Sequence, residues 1–131
     1  MADKTRERAI GDRGEGAACE LLKKKGCRIL ETNYSSSGGE IDIIARQGEY
    51  IIFAEVKTRE ASAFGTPSLW VDVRKQRKII KAARVYMEQN DLTLQPRFDI
   101  IEIVYDRRSG MIVSADHTAG AFFQEDGYAA F

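Results

Sequence analysis

The chain has 131 residues, of which 20 are basic and 20 acidic, so it has no overall charge that would attract nucleic acid to its whole surface. This length suffices for a single domain, residues 1–131, and is too short for two ordinary hydrophobic cores. No stretch approaches about 18 consecutive apolar residues, and the N-terminus lacks the apolar segment of a signal peptide, so we expect a cytoplasmic protein with no membrane partner.

The first predicted element is a helix from about Arg8 to Lys25, which follows a charged segment that is expected to fray and ends at Gly26. Its apolar side chains recur at helical spacing, at Ile10, Ala17, Ala18, Leu21 and Leu22. Glycines at positions 11, 14 and 16 lower helix stability. They indicate either a close approach of the helix backbone to a sheet or a phosphate, or a loosely formed first turn. Glu15 lies at the border of the apolar stripe, where periodicity alone favours an ordinary exposed acid.

A strand from Arg28 to Tyr34 is predicted next, at a sheet edge or followed by a flexible Ser-Ser-Ser-Gly loop over residues 35–38. A serine run can contact phosphate, although a solvated turn has the same composition. Cys19 on the helix and Cys27 before the strand have no metal-ligand spacing, so both are expected to be reduced, buried and inert.

Two short apolar runs, Ile41–Ala45 and Ile51–Val56, flank polar residues 47–49 and predict a β-hairpin. Both runs are apolar on both faces, which is typical of strands that are covered on each side. Charged residues there require an explanation. Because side chains alternate along a strand, Asp42, Glu55 and Lys57 are predicted to point to the same side of the sheet.

The loop of this hairpin decides how closely the two carboxylates approach. A two-residue loop at Gly48-Glu49, as a type II′ turn, places Asp42 directly opposite Glu55, whereas a loop one residue earlier places it one diagonal step away. Carboxylates that meet on an apolar sheet repel each other, and a shared proton, the ammonium group of Lys57 or a hard cation such as Mg²⁺ would each relieve the repulsion. Spacing alone leaves a structural ion pair and a metal site equally open.

A polar segment from Thr58 to Ser68 follows the hairpin and is predicted as a loop, which either gates a substrate or is merely long. The next predicted element is a helix from about Val73 to Asn90, with Asp72 as its N-cap. The apolar spacing predicts a buried stripe made of Val73, Gln76, Ile80, Ala83 and Met87.

Polar side chains of this helix are candidates for function. Gln76 lies on the predicted core side, where it either extends to solvent at the helix start or reaches Asp42, Glu55 or a metal-bound water. The other faces carry basic residues without an intervening acid, at Arg74, Lys75, Arg77, Lys78, Lys81 and Arg84. Such a run is common on solvated helix faces and is also a candidate track for phosphates. We assign the phosphate contacts to Arg74, Arg77, Lys78, Lys81 and Arg84.

The C-terminal part is predicted as a second hairpin, with a strand from Arg97 to Asp106 and its partner from Met111 to Ala115. Alternation places Asp99 and Glu102 on opposite faces, so they are not expected to form another carboxylate pair. His117 has no second imidazole or thiol nearby in sequence, and it is predicted to be a cap or surface residue rather than a zinc ligand. A short helix is expected at residues 119–123, and the aromatic tail, Tyr128 and Phe131, docks on the core or on a partner.

The element order predicts an α/β domain with a mixed sheet of about five strands flanked by helices. Asp42 followed by Glu55-Val56-Lys57 resembles the PD-(D/E)XK nuclease signature, with Ile41 where that signature has proline. Further segments together resemble the YraN-like family over most of the chain. These segments are Gly14-Glu15 with Ala17 and Ala18, Gly39-Glu40-Ile41-Asp42, Phe53–Arg59, Phe64-Gly65, Lys75-Gln76 and Arg97-Phe98-Asp99.

This resemblance implies a restriction-endonuclease-like fold, similar to that of archaeal Holliday junction resolvases, and an endonuclease that acts on DNA, including branched structures. It implies Mg²⁺ or Mn²⁺ held by Asp42 and Glu55 with the Val56 carbonyl, and Lys57 orienting the attacking water. Glu15 and Gln76 would assist, Glu15 by facing the carboxylates. Members of this superfamily can lose catalysis, so a nucleic-acid-binding or scaffolding module is the alternative, followed by a structural ion-pair network in a protein-interaction domain. A homodimer is left open.

Overall fold

The computed structural model of the protein describes residues 2–62 and 71–122. Its elements are, in order, α1 (Ala2–Lys24), β1 (Arg28–Ser36), β2 (Gly39–Gln47), β3 (Tyr50–Glu60), α2 (Val73–Gln89), β4 (Gln95–Tyr105) and β5 (Ile112–Phe122). The strands form one sheet in the order β1-β2-β3-β4-β5, in which β3 and β4 are parallel and the other neighbours antiparallel. The predicted mixed sheet of about five strands flanked by helices is confirmed.

The two helices cover opposite faces of this sheet. α2 packs over a cluster that contains Ile44, Ile51, Phe53, Phe98 and Ile100. α1 packs over the other face, where Ala18 and Leu22 meet a cluster that contains Ile43, Ala45, Ile52, Ala54 and Ile101. The central strands are therefore buried on both sides, which explains why β2 and β3 are apolar on both faces in the sequence. Neither described helix combines the length and the apolarity that crossing a membrane would require.

The turn between β2 and β3 has one of the two registers that the sequence left open. Gln47 pairs with Tyr50, so Gly48 and Glu49 form the loop. Gly48 has a φ of 59°, which suits the first position of a type II′ turn and favours glycine there. Of the two predicted registers, this is the one that places Asp42 opposite Glu55.

The first helix begins earlier than predicted, at Ala2 instead of about Arg8. Arg6 donates hydrogen bonds to the carbonyl oxygens of Arg107 and Arg108 in the turn between β4 and β5. This contact between distant segments fixes a charged turn that local sequence alone would leave frayed.

Of the three helical glycines, only Gly14 meets the sheet. A β-carbon built on Gly14 would lie 2.5 Å from Thr58 Cγ2, whereas one on Gly11 or Gly16 would have nothing within 4 Å. The close approach of α1 to β3 therefore requires a glycine at this position.

Several strands extend into segments that were predicted as loops. β1 continues through Ser36, which pairs with Gly39, and lies at the sheet edge as expected. β3 continues to Glu60, because its parallel pairing with β4 persists to Tyr105. The predicted loop from Thr58 to Ser68 is therefore wrong over residues 58–60, and its residues 63–68 lie outside the described residues.

The second helix begins as predicted, with Asp72 Oδ1 accepting a hydrogen bond from Lys75 N at 2.9 Å. Its buried face differs from the predicted stripe and comprises Ile79, Ala82, Ala83, Tyr86 and Met87. Val73, predicted to be buried, is 42% exposed. The tight turn before β2 packs against this observed face of α2: a β-carbon on Gly38 would lie 3.3 Å from Ala82 N.

The end of the described chain departs most from prediction. β5 runs to Phe122, where a helix was expected over residues 119–123, and Phe122 stacks on Phe98 with ring centroids 5.3 Å apart. His117 is not a surface residue, because its side chain is 4% exposed and its Nε2 lies 2.7 Å from Asp99 Oδ2. Glu102 instead pairs with Arg59, so the predicted separation of Asp99 from Glu102 is confirmed. Tyr128 and Phe131 lie outside the described residues.

Both cysteines are free thiols in the described chain. Cys27 is buried, whereas Cys19, also predicted to be buried, is half-buried. Burial raises the pKa of both thiols, which keeps them protonated and unreactive at neutral pH.

Candidate metal site

The sheet divides between β2 and β3. These two strands pair from the hairpin turn as far as Ile43 and Ala54. Beyond that point β2 continues to pair with β1 as far as Gly39, and β3 continues to pair with β4 as far as Glu60. Asp42 and Glu55 are the first residues past the last β2–β3 pair, and we call this point the fork. The predicted carboxylate pair therefore lies where the two halves of the sheet separate.

Asp42 accepts a backbone hydrogen bond from a strand amide that the separation of β2 and β3 leaves without a partner strand. Its Oδ2 accepts a hydrogen bond from the backbone N–H of Val56 at 2.8 Å. A strand amide without a partner strand would otherwise be unsatisfied. The carboxylate of Asp42 thus replaces a strand carbonyl and is held on β3 beside Glu55.

Glu55 is buried and is paired with a lysine from α2. Lys75 Nζ lies 2.9 Å from Glu55 Oε2. Within the described chain, the buried Oε2 has this ion pair and no further hydrogen-bond partner. Contact with Glu55 raises the pKa of Lys75, so its ammonium group stays charged. A buried oxygen that keeps lone pairs available is suited to accept a further ligand.

The electrostatics of the fork oppose two negative charges. Burial, followed by the neighbouring Glu55 carboxylate, raises the pKa of Asp42 to about 7, against the weaker opposing effects of the Val56 N–H and Lys75. Asp42 therefore carries a proton for part of the time at neutral pH. Either that proton or a cation relieves the repulsion between the carboxylates.

Glu15 approaches the fork from the α1 face. Burial, and then the charge of Asp42, raises its pKa, whereas a hydrogen bond with the Asn33 side chain lowers it. Asn33 lies between Thr32 and Tyr34, which pair with Ile43 and Ile41 on either side of Asp42. Asn33 has a φ of 52°, in the left-handed region that asparagine tolerates better than most residues. The structure thus brings Glu15 into the electrostatic range of Asp42.

Two other predicted site residues have different surroundings. Lys57 is half-buried, two residues beyond Glu55 on β3, and makes neither an ion pair nor a hydrogen bond with any described residue. Gln76 donates from Nε2 to the carbonyl oxygen of Val71 at 2.7 Å, at the start of α2. The basic residue at the carboxylates is therefore Lys75, which we had not assigned to the site. Its place in the Lys75-Gln76 segment that carries the family resemblance was the available signal.

A groove of about 410 Å³ opens between the fork and the start of α2. Acidic side chains come from the strands and the N-cap, and basic side chains from α2. The lining residues are Gly39, Glu40, Asp42, Glu55, Asp72, Arg74, Lys75, Lys78 and Ile79. Of the predicted phosphate contacts, Arg74 and Lys78 line this groove, whereas Arg77, Lys81 and Arg84 do not.

Glycines fix the distance between α2 and the fork. A β-carbon on Gly38 would lie 2.9 Å from Lys81 Cγ, and one on Gly39 would lie 3.1 Å from the carbonyl oxygen of Lys78. Gly39 also has a φ of 149°, which other residues rarely adopt. These contacts hold α2 close to the start of β2, and Lys75, earlier on the same helix, reaches Glu55.

The fork fits a hard divalent cation. Among residues 2–62 and 71–122, no group of three or more His, Cys, Asp or Glu side chains is arranged to hold a metal ion. Mg²⁺ is commonly bound by one or two carboxylates and keeps several waters. The Asp42–Glu55 pair supplies two such carboxylates, and Oε2 of Glu55 is held by the charge of Lys75 without a hydrogen bond. The Val56 carbonyl stays a predicted ligand.

Comparison with known sequences gives a consistent family assignment. A family model described as uncharacterised protein family UPF0102 matches residues 14–103, a range that contains Glu15, the fork and α2. A UPF0102 protein of Caldanaerobacter subterraneus subsp. tengcongensis is 42% identical over 91% of this chain and 98% of its own length. A UPF0102 protein of Geobacter metallireducens is 41% identical over 88% of this chain and 93% of its own. One of Carboxydothermus hydrogenoformans is 46% identical over 73% and 82%.

Proposed function

This chain belongs to the uncharacterised protein family UPF0102, the YraN-like family that its motifs resemble, and we propose that it is a Mg²⁺- or Mn²⁺-dependent endonuclease that acts on DNA. The observation that supports this proposal is the fork, where two carboxylates converge beneath an open groove with basic side chains on one wall. The order of Asp42, Glu55 and Lys57 and the mixed sheet are consistent with a restriction-endonuclease-like protein.

Each of the predicted site residues has a role in this proposal. Asp42 and Glu55 hold the cation, with the Val56 carbonyl as a further oxygen ligand. When bound, the cation supplies Lewis-acid stabilisation to the phosphate and lowers the pKa of a water. Lys57, free of ion pairs with the described residues, orients the attacking water and stabilises the charge that develops on the phosphate. Glu15 acts through the charge of Asp42, and Gln76 steadies the first turn of α2.

DNA binding is assigned to α2. Arg74 and Lys78 line the groove and would contact the phosphates nearest the cleaved bond, and Arg77, Lys81 and Arg84 would contact phosphates along the helix. Because the whole chain has zero net charge, this local patch supplies the attraction. The resemblance to resolvases makes branched DNA the first substrate to test.

The second candidate function is a binding or scaffolding module that keeps the fold without cleavage. The ion pair between Lys75 and Glu55 favours it, because this pair neutralises one carboxylate without a metal. Lys57 favours the enzyme, because a binding module has no need of a lysine two residues after Glu55 on the same strand.

The deciding experiment is cleavage of linear, single-stranded, flapped and four-way DNAs with Mg²⁺ or Mn²⁺. We expect metal-dependent cleavage that falls by about 100-fold or more in Asp42→Asn, Glu55→Gln and Lys57→Ala. Glu40→Gln is the matched control, because Glu40 is an exposed acid that lines the same groove outside the fork. Cleavage that survives all three substitutions, at Asp42, Glu55 and Lys57, would reject the proposed nuclease site. No cleavage of any substrate would reject the nuclease and favour the binding module.

A further inference from the structure

The ammonium group of Lys75 lies 2.9 Å from Oε2 of Glu55, an oxygen through which Glu55 would hold the proposed cation. We propose that Lys75 is an internal counter-ion, which a divalent cation displaces from Glu55 when it binds at the fork. This inference rests on the proposed metal site and adds a competitor that the protein itself supplies. Lys75 would therefore influence the affinity of the fork for the cation. Once the cation has bound, the displaced ammonium group would add positive charge to the groove.

The two partners of this ion pair differ in their freedom to move. The Glu55 side chain is 7% exposed and the Lys75 side chain 55% exposed. Glu55 is held on a central strand, whereas a lysine side chain can rotate its charged end into solvent on a flexible stem. Exchange of the lysine for another cation therefore requires movement of the exposed partner alone.

The backbone beneath Lys75 can stay fixed while its side chain moves. Lys75 N donates a hydrogen bond to Asp72 Oδ1 at 2.9 Å, which anchors the first turn of α2. The side chains of Arg74 and Lys78 line the same groove. An ammonium group that leaves Glu55 would join them on the groove wall, where it increases the positive charge available to phosphate oxygens.

The buried carboxylate explains why such a counter-ion is present. Without a cation, Glu55 would be an uncompensated charge beside Asp42 in a largely apolar sheet, which is costly. Lys75 supplies the missing charge through a contact of 2.9 Å. Lys57 lies on the same strand as Glu55 and makes no such contact with any residue that the structure describes. The two lysines would therefore have different roles. Lys75 would stabilise the metal-free fork, and Lys57 would take part in the proposed reaction.

The test is the dissociation constant of Mn²⁺, measured by titration calorimetry without DNA on the full chain. We expect Lys75→Gln to tighten Mn²⁺ binding by roughly three- to tenfold, because the cation no longer displaces an ion-pair partner. Lys78→Gln removes the same charge from the same wall one turn away and is expected to change the constant by less than about twofold. Lys75→Arg, which keeps the charge, should bind Mn²⁺ about as the unmodified chain does.

Each other outcome has a distinct meaning. Equal tightening of Mn²⁺ binding in Lys75→Gln and Lys78→Gln would show a general effect of charge and overturn the displacement. Unchanged or weaker Mn²⁺ binding in Lys75→Gln would also overturn it. In both cases the proposed metal site itself would stand. Mn²⁺ binding that is absent from the unmodified chain and from Lys75→Gln, or that Asp42→Asn leaves unchanged, would overturn the proposed metal site and the displacement with it. Melting curves of the two Lys75 variants verify that they fold.

Discussion

Asp99 and the Asp42–Glu55 pair lie close together in the same sheet, since Asp99 pairs in register with Ala54, the residue before Glu55. Asp99 is fully buried and accepts hydrogen bonds from Arg97 at 2.9 and 2.8 Å and from Gly120 N at 3.0 Å. Its remaining partner is His117, 2.7 Å away. At the fork, by contrast, Oε2 of Glu55 has an ion pair and no hydrogen bond among the described residues.

The pKa values follow this difference. Burial alone would raise the pKa of Asp99, but the bonds to His117, Arg97 and Gly120 outweigh it and lower the pKa. Burial and Glu55 together raise the pKa of Asp42 to about 7. A buried acid with all its bonds made is part of the framework, whereas buried acids with unused bonding capacity are candidates for function.

The largest expected effect is on stability and contrasts the two acids directly. Asp99→Asn leaves the Arg97 guanidinium without its charged partner and should lower the free energy of unfolding by about 3 kcal/mol. Asp42→Asn removes a repulsion in the metal-free protein, so its stability should be unchanged or higher. Denaturant titration of both variants measures the difference. A large, metal-independent loss in Asp42→Asn would make the fork a structural ion pair.

The pH dependence of stability should have opposite signs at the two sites. Asp42 binds its proton more tightly when folded, so its contribution falls as pH rises from about 4 to about 7, by at most about 1.4 kcal/mol per pH unit. The lowered pKa of Asp99 means that its contribution is present above its ordinary pKa of 3.8 and is lost as the solution becomes more acidic. Unfolding curves between pH 3 and 8 for the unmodified chain, Asp42→Asn and Asp99→Asn separate them. An unchanged slope between pH 4 and 7 in Asp42→Asn would contradict the raised pKa.

Added metal should raise the free energy of unfolding by about 1.4 kcal/mol when the fork is intact, and by much less when it is altered. Mg²⁺ at about ten times its dissociation constant would stabilise the unmodified chain by that amount, a few degrees in melting temperature. Asp42→Asn should respond much less, whereas a conservative change near the Asp99 cluster, such as Lys25→Gln, should respond fully. Lys25 Nζ lies 2.9 Å from His117 Nδ1, far from the fork in sequence. Equal responses in all three proteins would place the cation elsewhere.

The smallest expected effect extends the comparison to the helices that cover the two faces. If α2 contacts phosphates, Lys78→Ala with Lys81→Ala should flatten the salt dependence of DNA binding, by roughly 0.9 in log–log slope per lost contact. Lys23→Ala with Lys24→Ala removes the same charge from exposed positions on α1 and should leave the slope unchanged. Equal slopes for both double variants would mean that the α2 bases are solvated and that DNA binds elsewhere.

Features encoded by neighbouring residues could be predicted from the sequence. The hairpin was predicted with two alternative registers around Gly48, of which the structure has one, and Asp72 caps α2 as expected. Alternation brought Asp42 and Glu55 to one face because both strands are regular there. The family follows from motifs that are also local, whereas the nuclease activity and the metal stay proposals.

Features that depend on contacts between distant segments could not be predicted. His117 is buried because Asp99, on the neighbouring strand, accepts its bond, and nothing around residue 117 indicates that partner. Lys75 reaches Glu55 because a glycine turn before β2 holds α2 in place. The buried face of α2 also differs from the predicted stripe, because the apolar spacing of the helix alone permits more than one orientation against the sheet.

The separation of β2 from β3 has a mechanical consequence. Beyond Ile43 and Ala54, no described backbone pair joins the two strands, and the Asp42–Val56 hydrogen bond is a side-chain link across the gap. The spacing of the two carboxylates is therefore not fixed by the regular distance between paired strands. An ion bound by both carboxylates would therefore add a second link across this gap, beside the hydrogen bond from Val56 N to Asp42, and would tie β2 more firmly to β3 beyond their last backbone pair.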